Sequence, residues 1–137
     1  MNTALMCMAM AVYFEARSEP EPGQYKVAEV IMNRVNSPRY PMDVCSVVKY
    51  DPGEGDHDCH FSFWCDGELE VIDDPAAFEQ SLRVSIDVLT RASQPLLPED
   101  AMWYHADYVE PEWADRLTLV ATEGRHLFYV PQRATSE

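Results

Sequence analysis

Apolar residues at the start of the chain recur at helical spacing. Leu5, Met8, Val12 and Ala16 fall three or four positions apart, which predicts a helix over residues 2–17. Pro20 and Pro22 forbid its continuation, because each removes a backbone donor and restricts the residue before it. A second helix is expected from Gly23 to Asn36, with Val27, Ala28, Ile31 and Val35 along one face and "SPRYP" ending it. "MDVCSVVKY" predicts another turn or two of helix, with Asp43 as N-cap. Residues 51–67 read as a loop rich in Gly, Asp and aromatics. Asp74 as N-cap, Pro75 at the first helical position, and Phe78, Leu82, Ile86 and Leu89 at helical spacing then mark a further helix. After "SQPLLPED" the runs become short and strand-like: "MWYHA", "LTLVA" and "HLFYV". The last two are joined by "TEGR", where Gly124 supplies a positive φ. Helices first and a small sheet later imply a mainly helical α+β fold. With no repeat and no linker, residues 1–137 are expected to form one domain.

One residue breaks the first helix's apolar pattern. Glu15 lies seven residues after Met8 and four after Ala11, so a helix projects it from nearly the same side. A buried carboxylate is costly and responds with a raised pKa that keeps it protonated. A protonated carboxyl at a cleft edge is what a glycosidase uses as general acid. The structural alternative is an internal ion pair with Arg17 or Arg34, or capping of backbone amides. Glu21 and Glu29 are expected to face solvent, and Glu19, just before a proline, to bond the adjoining loop.

Composition narrows the partners. The 24 acidic residues against 10 basic ones leave a net charge of −14, which disfavours nucleic acid and anionic surfaces, since phosphate binding needs a cationic face. No apolar run reaches the roughly 18 residues of a membrane span. The N-terminal "MNTALMCMAMAVYF" lacks a basic leader and a small-residue cleavage site, and reads as core helix rather than a secretion signal. Four cysteines suit two disulfides: Cys59 and Cys65 would close a short loop, and Cys7 and Cys45 are the other candidates. His57, Cys59, His60 and Cys65 offer zinc-type ligands, but not at the paired spacing of structural sites, so no metal is assigned.

The stretch "YFEARSEPEPGQYKVAEVIMNRV" resembles the opening motif of the SleB-type cell wall hydrolases, the family of spore cortex-lytic enzymes and some phage endolysins. The likeness continues in "SPRYPMDVCSVV", "CHFSFWCDG", "MWYHADYVEPEW" and "EGRHLFYV", in order, over nearly the whole chain. Ser18 stands where the motif commonly has glycine, and His60 where glutamine often precedes Phe-Ser. The resemblance implies a lysozyme-like fold related to lytic transglycosylases, acting on peptidoglycan glycan strands at the cell wall; no cofactor is expected, and the chain is expected to be a monomer. It places the catalytic acid on Glu15. It suggests Ser62 and Phe63 of the Phe-Ser element and Tyr104 and His105 of the Tyr-His element as substrate-binding residues, with Glu19 and His126 as further candidates.

A glycoside hydrolase of this type uses a second carboxylate, about 5 Å away for retention or farther for inversion. Asp56, Asp58 and Asp66 are available in the middle loop, but none stands out. A lytic transglycosylase needs no second acid, because the substrate's own hydroxyl is the nucleophile. That route is preferred, with hydrolysis and a non-catalytic binding module as alternatives. Ser62, His105 and Asp107 could form a triad on paper, but no nucleophile-elbow sequence supports one.

The acidic chain should be repelled by anionic wall polymers. Lysis of wall suspensions is therefore expected to accelerate from low to moderate salt as screening weakens that repulsion. Steady loss of activity from the lowest salt upward would contradict this.

Overall fold

The computed structural model describes residues 3–50 and 71–132. Helix α1 (Ala4–Ala16) is the centre of the core. Cys7, Met8, Ala9, Ala11, Val12, Tyr13 and Ala16 are all buried, as expected of a helix that is apolar around most of its circumference. The Thr3 side chain caps it by accepting from the Met6 N–H at 3.1 Å. Helix α2 (Glu21–Val35) begins two residues earlier than its apolar face suggests. Pro20 is its N-cap and Pro22 lies in its first turn, where a missing N–H costs no hydrogen bond. The prolines that stop α1 therefore start α2. Ser18 between the helices has no positive φ, since Arg91 is the one non-glycine residue with that conformation among those described. This corner does not require the family's glycine.

Helix α3 (Val44–Val48) is capped by Asp43, whose carboxylate accepts from the Ser46 N–H at 2.9 Å. A disulfide joins Cys7 of α1 to Cys45 of α3 across 38 residues, with the Cα atoms 5.2 Å apart. Closing such a loop is worth about 4 kcal/mol on a chain-entropy model. Cys59 and Cys65 lie outside the described residues.

Helix α4 (Pro75–Thr90) is capped by Asp74, which accepts from the Ala77 N–H at 3.1 Å. Its buried stripe differs from the large apolar residues that signal it. Ser81, Val84, Ser85 and Val88 face inward, while Ile86 is 45% exposed. The small serines let α4 lie close against α1 and α2, and the Ser81 hydroxyl is satisfied by the Ala77 carbonyl at 3.2 Å. Glu29 also departs from expectation. It is buried on α2, because its carboxylate accepts the backbone N–H groups of Leu96 and Leu97 at 2.9–3.0 Å.

Strands β1 (Trp103–Ala106), β2 (Leu117–Glu123) and β3 (His126–Pro131) form an antiparallel sheet in the order β1-β3-β2. A short 3₁₀ helix over Glu112–Arg116 precedes β2. Tyr104 lies opposite Phe128, and Ala106 opposite His126. Two-residue periodicity thus puts Tyr104, His126 and Phe128 on the face that meets the helical core, and His105, Leu127 and Tyr129 on the other. The mainly helical α+β reading holds. Among the described residues no helix is long and apolar enough to cross a membrane.

The β2–β3 turn packs on the α1–α2 corner. Gly124 has φ +56°, and a Cβ there would strike the Glu19 carboxylate and come within 2.8 Å of Pro20. Gly124→Ala combines left-handed strain with this clash and is expected to lower stability by about 2 kcal/mol in urea unfolding. Unchanged stability would mean that the turn does not press on this corner.

Candidate active site

The last turn of α1 delivers Glu15 to the floor of a cavity of about 340 Å³. Phe14 and Glu15 come from α1, Arg34 from α2, Tyr104, His105 and Ala106 from β1, Tyr108 and Val109 from the turn after it, and His126 from β3. Glu15 keeps a part-exposed edge toward this space but is otherwise enclosed by protein. The Tyr104 hydroxyl donates to its Oε1 at 2.9 Å. Burial raises the Glu15 pKa above the ordinary carboxyl value, and the Tyr104 bond and the Arg34 charge only partly oppose that.

Arg34 is 5% exposed. Its Nε donates to the Met102 carbonyl at 2.9 Å, and its guanidinium lies 5.1 Å from the centre of the Tyr40 ring. Burial pulls its pKa down, yet a guanidinium stays charged. The cavity therefore holds a fixed cation beside an acid that is reluctant to ionise. The same signal that exposes Glu15 was present for Arg34: a charge three residues past Ile31, on the apolar face of its helix.

His126 lines the cavity edge-on to Tyr104, with ring centres 5.0 Å apart. Its Nδ1 is buried without a partner among the described residues. Burial lowers its pKa, against the opposing charges of Glu19 and Asp107, so the imidazole is neutral at pH 7. Tyr104 and His105, adjacent in sequence, part company here. His105 borders the cavity, but its imidazole stacks on Tyr129 at 5.3 Å and meets Trp113 edge-on at 5.6 Å. Its Nδ1–H donates to the Ala106 carbonyl at 2.7 Å, which leaves Nε2 to accept from the Tyr129 hydroxyl at 2.8 Å.

Glu19 sits at the hairpin rather than in the cavity wall, accepting the Arg125 backbone N–H at 2.7 Å. Asp107 pairs with Arg125 at 3.2 Å, so neither ring nitrogen of His105 is oriented by it. Ser62, Phe63 and the aspartates Asp56, Asp58 and Asp66 lie outside the described residues, as do His57, Cys59, His60 and Cys65. Among the described residues no cluster of His, Cys, Asp and Glu could hold a metal. A larger cavity of about 570 Å³ lies between the ends of α2 and α4, lined by Glu29, Arg91 and Leu97 among others. Its buried carboxylate, Glu29, is already consumed by two backbone amides, and its other acid, Glu99, is exposed to solvent.

The cell wall hydrolase family profile matches residues 18–129, beginning just after Glu15. The chain belongs to the cell wall hydrolase family. It is 32% identical over 124 residues to the spore cortex-lytic enzyme of Halalkalibacterium halodurans, covering 90% of this chain and 34% of that protein. It is 30% identical over 128 residues to the Bacillus subtilis spore cortex-lytic enzyme, covering 93% and 37%. The chain thus spans about a third of the length of these curated relatives. The fold matches the catalytic domain of the Bacillus cereus SleB protein with a TM-score of 0.71, 27% identity and coverage of 92% and 88%. It also matches the catalytic domain of the germination-specific lytic transglycosylase SleB from Bacillus anthracis, with a TM-score of 0.73, 27% identity and coverage of 92% and 93%.

The raised Glu15 pKa has a consequence for stability. The folded protein holds this proton to higher pH than the unfolded chain, so Glu15 costs nothing below the ordinary carboxyl pKa and destabilises as pH rises through its folded value. Glu15→Gln, which keeps an oxygen for Tyr104, is expected to melt higher than the unmodified protein at neutral pH. The gain should vanish below about pH 4. A variant that melts lower at neutral pH would make Glu15 an ionised structural partner of Arg34.

Proposed function

We propose that this domain cleaves peptidoglycan glycan strands between MurNAc and GlcNAc as a lytic transglycosylase, with Glu15 as its single acid and base. The observation that carries this reading is a largely enclosed cleft carboxyl, its pKa raised by burial, that is the only carboxylate among the described lining residues. The likeness to the SleB catalytic domains supports the reaction class.

Tyr104 assigns the two oxygens of the acid different work. Its hydroxyl donates to Oε1, so in the neutral carboxyl the proton rides on Oε2, free to reach the substrate. Oε2–H protonates the oxygen linking MurNAc C1 to GlcNAc, and that bond breaks as positive charge develops on the sugar ring. The Glu15 carboxylate so formed is stabilised by the Tyr104 hydroxyl and the Arg34 cation. It then takes the proton of the MurNAc C6 hydroxyl as O6 closes on C1, giving the 1,6-anhydro sugar and restoring the acid. No water, metal or cofactor enters the step. Tyr104, His126, Ser62 and Phe63 are the proposed substrate-binding residues, with neutral His126 free to bond a sugar hydroxyl or amide; Glu19 and His105 serve as supports, the one held by the hairpin and the other by Ala106 and Tyr129. The site of action is the cell wall, and the protein works as a monomer.

Mass spectrometry of purified peptidoglycan digested with the protein and with Glu15→Gln tests the proposal. Anhydro-MurNAc ends are expected from the unmodified protein, with the variant slower by about a thousandfold. Reducing ends without the anhydro ring would mean hydrolysis and a second carboxylate in the middle loop. No cleavage, with a control enzyme active, would favour a binding module.

A further inference from the structure

Of the aromatic rings near the cavity, most are spoken for. Trp113 and Tyr129 pack edge-on at 5.4 Å around His105, and Tyr104 stacks on Phe128 at 5.6 Å. Tyr108 is different. It borders the Glu15 cavity and is 74% exposed. Its ring therefore leaves apolar area in water and contributes little to the fold.

The ring is nonetheless held in place. The Arg125 guanidinium lies 5.4 Å from its centre, and that guanidinium is pinned by Asp107 at 3.2 Å. The turn that carries it is closed at both ends: the Asp107 N–H donates to the Arg125 carbonyl at 2.7 Å and the Val109 N–H to the Ala106 carbonyl at 3.2 Å. Arg125 is fixed in turn by its own N–H to Glu19 at 2.7 Å. The result is a pre-organised aromatic plate, backed by a cation and otherwise open, beside the cleft of the proposed acid. Its position shows what it could meet. A β-linked hexosamine with equatorial substituents presents axial C–H bonds on its faces, and such a face is complementary to an aromatic ring.

We propose that Tyr108 is a sugar-stacking platform, binding the face of a hexosamine in the glycan strand next to the residue being cleaved. This rests on the glycan-cleaving reading above and deepens it. The platform adds binding in the ground state and the transition state alike, so it acts on KM and leaves kcat alone. Because stacking needs the ring and not the hydroxyl, phenylalanine should replace tyrosine.

The test uses defined GlcNAc–MurNAc oligosaccharides without peptide stems. Their affinity is measured by titration calorimetry in the Glu15→Gln background, and their turnover in the active protein. Tyr108→Ala is expected to weaken binding and raise KM by about five- to tenfold with kcat unchanged, whereas Tyr108→Phe stays within about twofold of the parent. The loss should be the same at low and moderate salt. A parent that binds and cleaves, together with a Tyr108→Ala variant of equal affinity, would overturn the platform alone. A Tyr108→Phe variant as weak as Tyr108→Ala would overturn it too, by assigning the contact to the hydroxyl. A parent that neither binds nor cleaves would overturn the glycan reading, and the platform with it.

Discussion

The hydrogen bond from Tyr104 to Glu15 joins residues 89 apart in sequence and fixes the one relation on which the site depends, the end of the central helix against the face of the sheet. Without the sheet, the last turn of α1 would be open to water and Glu15 an ordinary carboxylate. Packed against β1, the same side chain loses hydration, and its pKa rises because the single hydroxyl and the Arg34 charge do not fully replace water. Burial raises the pKa, and the hydroxyl fixes the orientation of the carboxyl group. The bond also couples the two protonation states to one geometry, since Tyr104 can donate to Oε1 of the neutral acid and of the carboxylate alike.

Several restraints converge on that helix end. Tyr13, buried two residues before Glu15, accepts the backbone N–H groups of Asp73 and Asp74 at 3.2 and 3.0 Å and donates to the Asp73 carboxylate at 2.9 Å. Arg17 adds an ion pair to Asp73 at 2.8 Å; that pair is exposed and worth little alone, so the buried tyrosine is the anchor between α1 and the start of α4. On the far side of the site, Glu19 is tied to the hairpin through Arg125. A disulfide at the other end of α1 holds it to α3. The proposed catalytic role of Glu15 needs a support stiffer than the motion that would misplace it, and here a helix, a hairpin and a helix start each restrain the same few residues.

The two faces of the small sheet divide the labour. Tyr104 and His126 turn toward the acid, while His105, Tyr129 and Trp113 form an aromatic cluster on the opposite side. A motif that reads as one unit, Tyr-His, therefore serves two ends: one residue meets the acid directly, and the other braces the strand that carries it. Glu19 shows a similar division, adjoining the site in sequence but spending its carboxylate on the turn that positions His126.

Much of this was determined by local chemistry. The helix starts at Thr3, Asp43 and Asp74, the proline corner and the Gly124 turn follow from which backbone donors and φ values each residue allows, and those rules act within a few positions. Glu15 stood out for the same reason, as a charge on an apolar face. Strand periodicity already implied that Tyr104 and His105 cannot share a face. Tertiary structure alone decided the rest. Glu29 went inside because amides 67 and 68 residues away received it. The buried stripe of α4 rotated onto serines because close helix contact favours small residues over large ones. The sheet order β1-β3-β2, the meeting of Arg34 and Tyr104 at Glu15, and the Tyr108 plate beside the cleft all join segments distant along the chain. Spacing within a helix or strand encodes which way a side chain points, but not which partner waits there, because that partner is delivered by the packing of the whole core.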